Sequence, residues 1–298
     1  MLKKALLAGI NEKPLRGCGN DVKAMQELLV DLYGFQTNDI RLLADSEATT
    51  KAIIDGFDWL AQGGSEQAVR VFHYAGHGHS IPDESGDESD GKDEAVAPYD
   101  HHACGYLIDD KLGEIYDRFG ANSNLTLIMD SCHSGTSQRG PEEDDVYYRF
   151  IPNTYEEREA IAAARRKFLQ EQMQFVKSSM KTMRGSKRGP DEEFEKEFTA
   201  MVEKFEKHRF GDHRVAENNI LLAACEDDQQ AADAKMKGGV FHGAFTYFLI
   251  KLVREAEGKI SYQELVKNLG KMLYEHSFKQ VPQLSCKEGR ENADFLSA

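Results

Sequence analysis

The stretch that decides the fold is Asn124-Leu125-Thr126-Leu127-Ile128-Met129-Asp130-Ser131-Cys132-His133-Ser134-Gly135. Leu125, Leu127, Ile128 and Met129 form a short apolar run, the pattern of a central parallel strand covered on both faces. The run stops at a polar turn that carries a carboxylate, a thiol and an imidazole. In open α/β sheets, ligands and chemistry gather at the carboxyl ends of the strands. A second stretch has the same form. Ala68-Val69-Arg70-Val71-Phe72-His73-Tyr74 reads as a strand, and Ala75-Gly76-His77-Gly78-His79 follows at its end.

A thiol at one strand end and an imidazole at another predict a cysteine hydrolase. The thiolate nucleophile needs a base, and that base usually comes from a different strand or loop. Cys132 is the expected nucleophile and His77 the expected base. The glycines on either side of His77 admit a substrate backbone, and the N–H groups of Gly78 and Cys132 are candidate oxyanion donors. His73 and His79 are rivals for the base. His73 lies inside the strand, and of the three only His77 sits between two glycines. A zinc site built from His73, His77 and His79 is the metal alternative, although this spacing within one strand and turn converges poorly.

Asp130 stands two residues before Cys132, so the strand's period of two puts both on one face. Ala75 bears the same relation to His77, and its small side chain leaves space there. A buried carboxylate facing a pocket selects a cationic side chain, because an unpaired buried charge is costly. Asp130 and Asp21 are therefore expected to form an acidic first-subsite pocket for Arg or Lys. Asp227 and Asp228 are further candidates for the border of that cleft. The alternative for Asp21 is a helix N-terminal charge with no other role.

Five segments in this order resemble the metacaspases and their bacterial relatives, the orthocaspases. Tyr74-Ala75-Gly76-His77-Gly78 and Asp130-Ser131-Cys132-His133-Ser134-Gly135 look like that family's two signatures. Gly17-Cys18-Gly19-Asn20-Asp21, the acidic run ending Asp93-Glu94-Ala95-Val96-Ala97-Pro98, and Ala223-Ala224-Cys225-Glu226-Asp227-Asp228-Gln229 match as well. A histidine this far upstream of the cysteine is also the caspase arrangement. The resemblance covers residues 3–135 and 218–286 and leaves the middle uncovered. It implies a caspase-hemoglobinase-like α/β fold, a mostly parallel central sheet flanked by helices with a helical insertion. It also implies an Arg- or Lys-specific endopeptidase whose pocket is lined at Cys18, Asp21, Ala75 and Asp130. In calcium-dependent members, positions matching Asp93, Asp109 and Asp110 bind the ion. The fourth matching position is Arg139, and a cation does not ligate calcium. No cofactor is required on this reading, and calcium stays open.

The acidic loop Ile81–Glu94 has its own reading. Counted from Asp83, an EF-hand would need glycine at position six, where Glu88 stands, and Gly86 falls at position four. A solvated acidic loop is the alternative.

Composition sets the outer bounds. With 298 residues, 40% of them hydrophobic, the chain can bury one large α/β core or two small ones. A net charge of −14 argues against nucleic-acid binding and favours cationic substrates. Cys18, Cys104, Cys132, Cys225 and Cys286 are odd in number and widely spaced. That argues against a disulfide framework and for a reducing compartment, the cytoplasm. The apolar run at Ala5–Ile10 is too short for a signal peptide and reads as the first strand, and no segment is suited to span a membrane.

Along the chain, Asn20 reads as a helix N-cap ahead of Val22, Met25, Leu28, Leu29 and Leu32, with Gly34 as the stop. Ile40–Leu43 is a strand and Thr50–Leu60 a helix. Cys104–Asp110 reads as a hairpin strand, and Leu112–Phe119 as a helix leading into the Cys132 strand. This βαβα alternation predicts a mostly parallel sheet. From Gly140 the composition turns charged. Tyr155–Met183 and Asp191–His208 read as two helices around the basic, breaker-rich tip Arg184–Pro190. Asn219–Ala224 is a core strand, Ser261 caps the helix Tyr262–Tyr274, and Val281–Ser285 is an edge strand.

The expected organisation is a large-subunit-like part at 1–139 holding His77 and Cys132, a charged insertion at 140–217, and a small-subunit-like part at 218–298 completing the same domain. A protease would nick the insertion at its tip, which makes Arg184, Lys187 and Arg188 the candidate processing residues of a zymogen. Expected partners are protein or peptide substrates with Arg or Lys at the cleaved position and an upstream activating protease. Neither nucleic acid nor membrane is expected, and the protein is read as a monomer. Two other classes compete: a catalytically silent caspase-like interaction module, and a calcium-binding structural protein using the acidic loop.

Overall fold

A period of two runs through each central strand and sorts the side chains onto two faces. In the computed structural model, β1 (Lys3–Gly9) sends Leu6 and Ala8 to one face and Ala5 and Leu7 to the other. β3 (Val69–Ala75) divides Phe72 and Tyr74 from Val71 and Ala75, and β7 (Leu125–Asp130) divides Leu127 and Met129 from Ile128. Every residue of β3 and β7 is buried, as expected of strands covered on both sides. With β2 (Ile40–Ala44), β9 (Ile220–Ala223) and β12 (Gln283–Cys286) they form one six-stranded sheet, in the order β12-β9-β7-β3-β1-β2. All pairings are parallel except β12 with β9, so the expected edge strand closes the sheet antiparallel.

The structure describes residues 2–63, 68–86, 88, 90–116, 119, 124–132, 145–185, 219–226 and 229–297. They fall into two compact units. The first holds the described residues of 1–79, 95–152 and 215–298, and the second those of 80–94 and 153–214.

In the first unit, helices cover both faces of the sheet. α1 (Cys18–Tyr33) buries Val22, Met25, Leu28 and Leu29 at helical spacing. It joins α6 (Ala244–Glu255) and α7 (Tyr262–Glu275) on the Leu7–Val71–Ile128 face. α2 (Thr50–Ala61) lies on the Phe72–Leu127 face, with Ile53, Phe57 and Leu60 inward. α4 (Asp109–Tyr116) joins it there through Leu112 and Ile115. Each such side chain contributes roughly 1.5–3 kcal/mol when fully buried, so the faces are set by area rather than by helix propensity. Gly34 ends α1 at φ 65°, a left-handed conformation that glycine adopts without strain. Thr49 and Ser261 cap α2 and α7 by accepting from Ala52 and Glu264 N–H.

Two expectations need correction. Asn20 is not a cap: α1 starts at Cys18 with Gly17 as N-cap, and the Asn20 side chain donates to the Phe241 carbonyl at 2.9 Å. The start is fixed from far away, because the Asp233 carboxylate accepts from the N–H groups of Arg16 and Gly17 at 2.7 and 3.0 Å. Residues 104–110 do not form one strand. The short helix α3 (His101–Cys104) ends there, β6 (Leu107–Ile108) pairs antiparallel with β5 (Lys92–Val96), and α4 begins at Asp109, ending three residues before Phe119. A small antiparallel sheet was also not foreseen. β10 (Ala232–Lys235) pairs with β8 (Val146–Tyr148) on one side and β11 (Phe241–Gly243) on the other.

The second unit holds α5 (Tyr155–Gly185) and the acidic loop that follows β4 (Gly78–Pro82). A capping box starts α5: Thr154 Oγ1 accepts from Glu157 N–H, and the Glu157 carboxylate accepts from Thr154 N–H. Gly91 lies against the α5 backbone, where a Cβ would stand 2.5 Å from Arg165 N. The expected helix at Asp191–His208 lies outside the described residues. No helix among the described residues is long and apolar enough to cross a membrane.

Candidate active site

The site grows out of one register. β3 and β7 pair with Ala75 opposite Asp130, each the last residue of its strand. Two residues further on, the chains carry His77 and Cys132. Neighbouring strands run about 4.8 Å apart, so the imidazole and the thiol leave adjacent strand ends side by side. This is the carboxyl edge of the sheet, next to the point where strand order reverses between β1 and β3.

Cys132 is fully buried, and its Sγ accepts a hydrogen bond from Ala231 N–H at 3.0 Å. His77 is 5% exposed, and its Nδ1 has no hydrogen-bond partner among the described residues. Burial holds its pKa below the ordinary histidine value, while the Glu12 charge and the Glu12 and Lys13 peptide groups favour the protonated ring. The rivals for the base are occupied elsewhere. His79 Nδ1 meets the Ile151 carbonyl at 2.8 Å. His73 is fully buried, and its pKa is pushed down to about 4 by that burial. Tyr74 steadies the His77 loop, its hydroxyl lying 2.8 and 3.0 Å from the carbonyls of His77 and Ala97.

Two amides converge beside the thiol. Gly78 N–H and Cys132 N–H both donate to one oxygen, the Arg149 carbonyl, at 2.9 and 3.2 Å. A Cβ on residue 78 would stand 2.1 Å from the Cys132 carbonyl oxygen, so this close approach requires glycine.

The carboxylates stand behind the thiol on the α1 and α6 face. Asp21, Asp130 and Asp233 are all 0% exposed, and so is Arg149. The Arg149 guanidinium bridges the first two, 2.5 Å from Asp21 and 3.0 Å from Asp130, and also donates to the Asp130 carbonyl. Asp21 accepts as well from Gly243 N–H, and His242 Nδ1 lies 2.9 Å from it. Thr246, in the first turn of α6, donates to Asp130 through its N–H at 3.1 Å and its hydroxyl at 2.6 Å. A hydroxyl that donates to Asp130 must accept at His73, 3.1 Å away, which puts the His73 proton on Nε2.

Burial pushes the Asp130 carboxyl up to about 6, with the like charge of Asp21 adding to it and Arg149 and Thr246 opposing it. Burial works against the charge of Arg149, and Asp130, Cys18, Asp21 and Asp233 outweigh it. Cys18 and Ala75 are fully buried. Gly243 leaves room for the cation, since a Cβ there would meet Asp130 Oδ2 at 2.2 Å and Arg149 Cζ at 2.6 Å.

The fold thus brings together Cys18, Asp21, Ala75, His77, Gly78, Asp130 and Cys132. Sequence reasoning missed Arg149, Thr246, His242, Gly243, Ala231 and Asp233. Arg149 had no local signal, being one arginine in a charged stretch. The others are marked by contacts more than 90 positions away in the chain.

The remaining expected residues stand in both units or are undescribed. Asp93 is buried in β5, in the second unit, and Asp109 opens α4, in the first. The side chain of Asp110, and Arg139, Asp227 and Asp228 altogether, lie outside the described residues, as do Lys187, Arg188 and the side chain of Arg184. Among the described residues, the one grouping with metal-ligand spacing is Glu12, His101 and His102, and imidazoles suit transition metals rather than calcium. His73, His77 and His79 form no such group there.

Comparison with known proteins shows the family. The metacaspase, peptidase C14 domain family matches residues 3–140. Metacaspase-1 of Scheffersomyces stipitis is 32% identical over 306 residues, covering 99% of this chain and 73% of its own. Metacaspase-1 of Schizosaccharomyces pombe is 30% identical, covering 95% and 67%. A solved structure from Geobacter sulfurreducens superposes with a TM-score of 0.64 over 100% of this chain and 99% of that one, at 22% identity, a likeness of fold. The fold is the caspase-like α/β class with a mostly parallel central sheet. The chain belongs to the metacaspase family of caspase-like cysteine peptidases.

Proposed function

We propose that the protein is a cysteine endopeptidase that cleaves after Arg or Lys through a Cys132/His77 dyad. One observation carries the specificity: a buried arginine sits between Asp21 and Asp130, on the face of the sheet that bears the thiol strand. A site that holds a guanidinium between two buried carboxylates rejects acidic and neutral side chains, which would leave those charges unpaired.

The steps follow from the positions. His77 takes the proton of the Cys132 thiol, and the thiolate attacks the scissile carbonyl carbon. The oxygen takes up negative charge between Gly78 N–H and Cys132 N–H, donors of a kind worth roughly 10²–10³ in kcat each. His77 protonates the departing amine as the C–N bond breaks, leaving a thioester on Cys132. His77 then takes a proton from water, which attacks the thioester and releases the acid. No step is routed through a metal. The substrates are proteins or peptides with Arg or Lys at the cleaved position. The enzyme is made as a zymogen and processed within the insertion.

Fluorogenic peptides ending in Arg, Lys or Asp test this, with wild type and Cys132→Ala. Arg and Lys peptides are hydrolysed, Asp peptides are not, and the variant is inactive. Turnover surviving in Cys132→Ala would remove the nucleophile. A preference for Asp would remove the pocket.

A further inference from the structure

Arg149 does more than neutralise two carboxylates. Its main chain is bound as well. The carbonyl oxygen accepts from Gly78 and Cys132 N–H at 2.9 and 3.2 Å, and its own N–H donates to the Ala231 carbonyl at 3.0 Å. The three residues before it continue the contact as a strand. Tyr148, Tyr147 and Val146 pair antiparallel with Ala232, Asp233 and Ala234 of β10. Beyond it, Ile151 N–H donates to the Gly78 carbonyl at 2.9 Å. Proteins commonly receive a peptide in this way, as an added strand fixed by main-chain hydrogen bonds, with side-chain pockets setting specificity.

We propose that residues 146–150 occupy the substrate cleft of their own chain, and that Arg149–Phe150 is a bond this enzyme cuts in itself. The proposal deepens the Arg/Lys peptidase reading and rests on it. Side chain, carbonyl and flanking strand of one residue meet the three requirements of a bound substrate together: an acidic pocket, two amide donors on one oxygen, and an extended main chain on a neighbouring strand. Arg184 does not meet the last of these, because it lies within helix α5.

The step balances without another reagent. The Cys132 thiol gives its proton to His77 as Sγ bonds to the Arg149 carbonyl carbon, and the Arg149 C–Phe150 N bond breaks. The proton from His77 completes the new amino group of Phe150. Water then hydrolyses the thioester, giving an Arg149 carboxylate and returning the thiol and imidazole. Until that happens the cleft is filled from within, and outside peptides are excluded. Cutting frees the strand at its Phe150 end, so the occupant can leave.

The cut divides this chain into two pieces of 149 residues each, since 298 − 149 = 149. They run close together on a gel, so mass spectrometry and N-terminal sequencing are the readouts. The experiment uses the full chain made by in vitro translation, sampled over time at serial dilutions. Wild type is expected to give one fragment ending at Arg149 and one starting at Phe150, with a fraction cut that does not depend on concentration. Cys132→Ala and Arg149→Gln lose this fragment pair. Arg149→Lys keeps it, which separates loss of the cleaved residue from failure to fold. Wild type that hydrolyses Arg peptides while the 149–150 bond stays intact overturns the proposal and leaves the functional reading standing. A fraction cut that rises with concentration also overturns it, because a bond bound in its own cleft is cut within one molecule. If neither peptides nor chain are cut by Cys132, the functional reading fails and this proposal fails with it.

Discussion

Two sets of buried carboxylates in this chain are satisfied in opposite ways. In the loop, Asp83 is 7% exposed and is met by close neighbours: the Ser85 hydroxyl at 2.9 Å, Gly86 N–H at 2.6 Å and Glu88 N–H at 3.0 Å. Neutral donors within five residues do the work. In the pocket, Asp21 and Asp130 are fully buried and are met by groups from distant elements, among them a full positive charge. A carboxylate solvated by its own turn is finished. A pair of carboxylates held in a sheet with one guanidinium between them demands a cation, whichever molecule supplies it. Function belongs with the second kind, and the two can be told apart by mutation.

Asp130→Ala carries the largest effect. Removing one partner of a buried, hydrogen-bonded charge pair costs roughly 2–5 kcal/mol, about 30- to several-thousand-fold in kcat/KM at 1.4 kcal/mol per tenfold. Hydrolysis of Arg peptides should fall by that factor, and the unprocessed chain should lose a similar stability in urea. An Asp130→Ala enzyme that keeps its Arg turnover would place the specificity elsewhere. Gly243→Ala comes next. Its Cβ intrudes on the guanidinium position, and overpacking of that kind costs about 1–3 kcal/mol. A slimmer ammonium group is less affected, so the ratio of Arg to Lys turnover should drop by about tenfold. Equal losses for both would show that Gly243 does not shape the pocket.

The pH profile sharpens the same contrast. Burial raises Asp130 to about 6, so its ionised, cation-binding form is depleted as pH falls through 6. KM for Arg peptides should therefore climb below about pH 6. Arg149 holds that value down, so departure of the strand moves the limb upward, and processed enzyme, the form open to outside peptides, should show it above pH 6. Stability moves the other way for this group. A carboxyl whose folded pKa exceeds its unfolded one holds its proton more firmly when folded, and its contribution is lost as pH rises from about 4 to 6. His73, depressed to about 4 by burial, opposes this by costing stability as pH falls from 6.5 to 4. The KM limb is thus the informative readout, and Asp130→Asn should flatten it.

What could be read from the sequence was what local patterning controls. The β3 and β7 strands, His77 and Cys132 beyond their ends, and Asp130 on the thiol's strand follow from a period of two and two abrupt polar turns. Gly78 was legible because a glycine beside the base has few other uses. The rest depends on partners too distant for any pattern. Arg149 finds Asp21 at a separation of 128 residues, and Thr246 finds Asp130 at 116. Asn20 looked like a cap because a polar residue there preceded an apolar repeat. Asp233, 216 positions from Gly17, starts the helix instead. Strands of three or four residues such as β8 and β10 carry too little alternation to announce a pairing, and that pairing is what turns Arg149 into a bound residue.

Asp83→Ala carries the smallest effect and is the control that gives the others meaning. Its three hydrogen bonds from described residues are local, so their loss opens the loop without touching the main sheet. A buried donor left unpaired costs about 1–3 kcal/mol, and the Gly86 and Glu88 amides can recover most of that from water once the loop opens. Amide exchange at Gly86 and Glu88 should quicken by about tenfold, a local change of about 1.4 kcal/mol. The kcat/KM for Arg peptides should stay within about twofold of wild type. If turnover instead falls with the loop, then the two acidic regions are energetically coupled, and a carboxylate satisfied by its own turn is not finished after all.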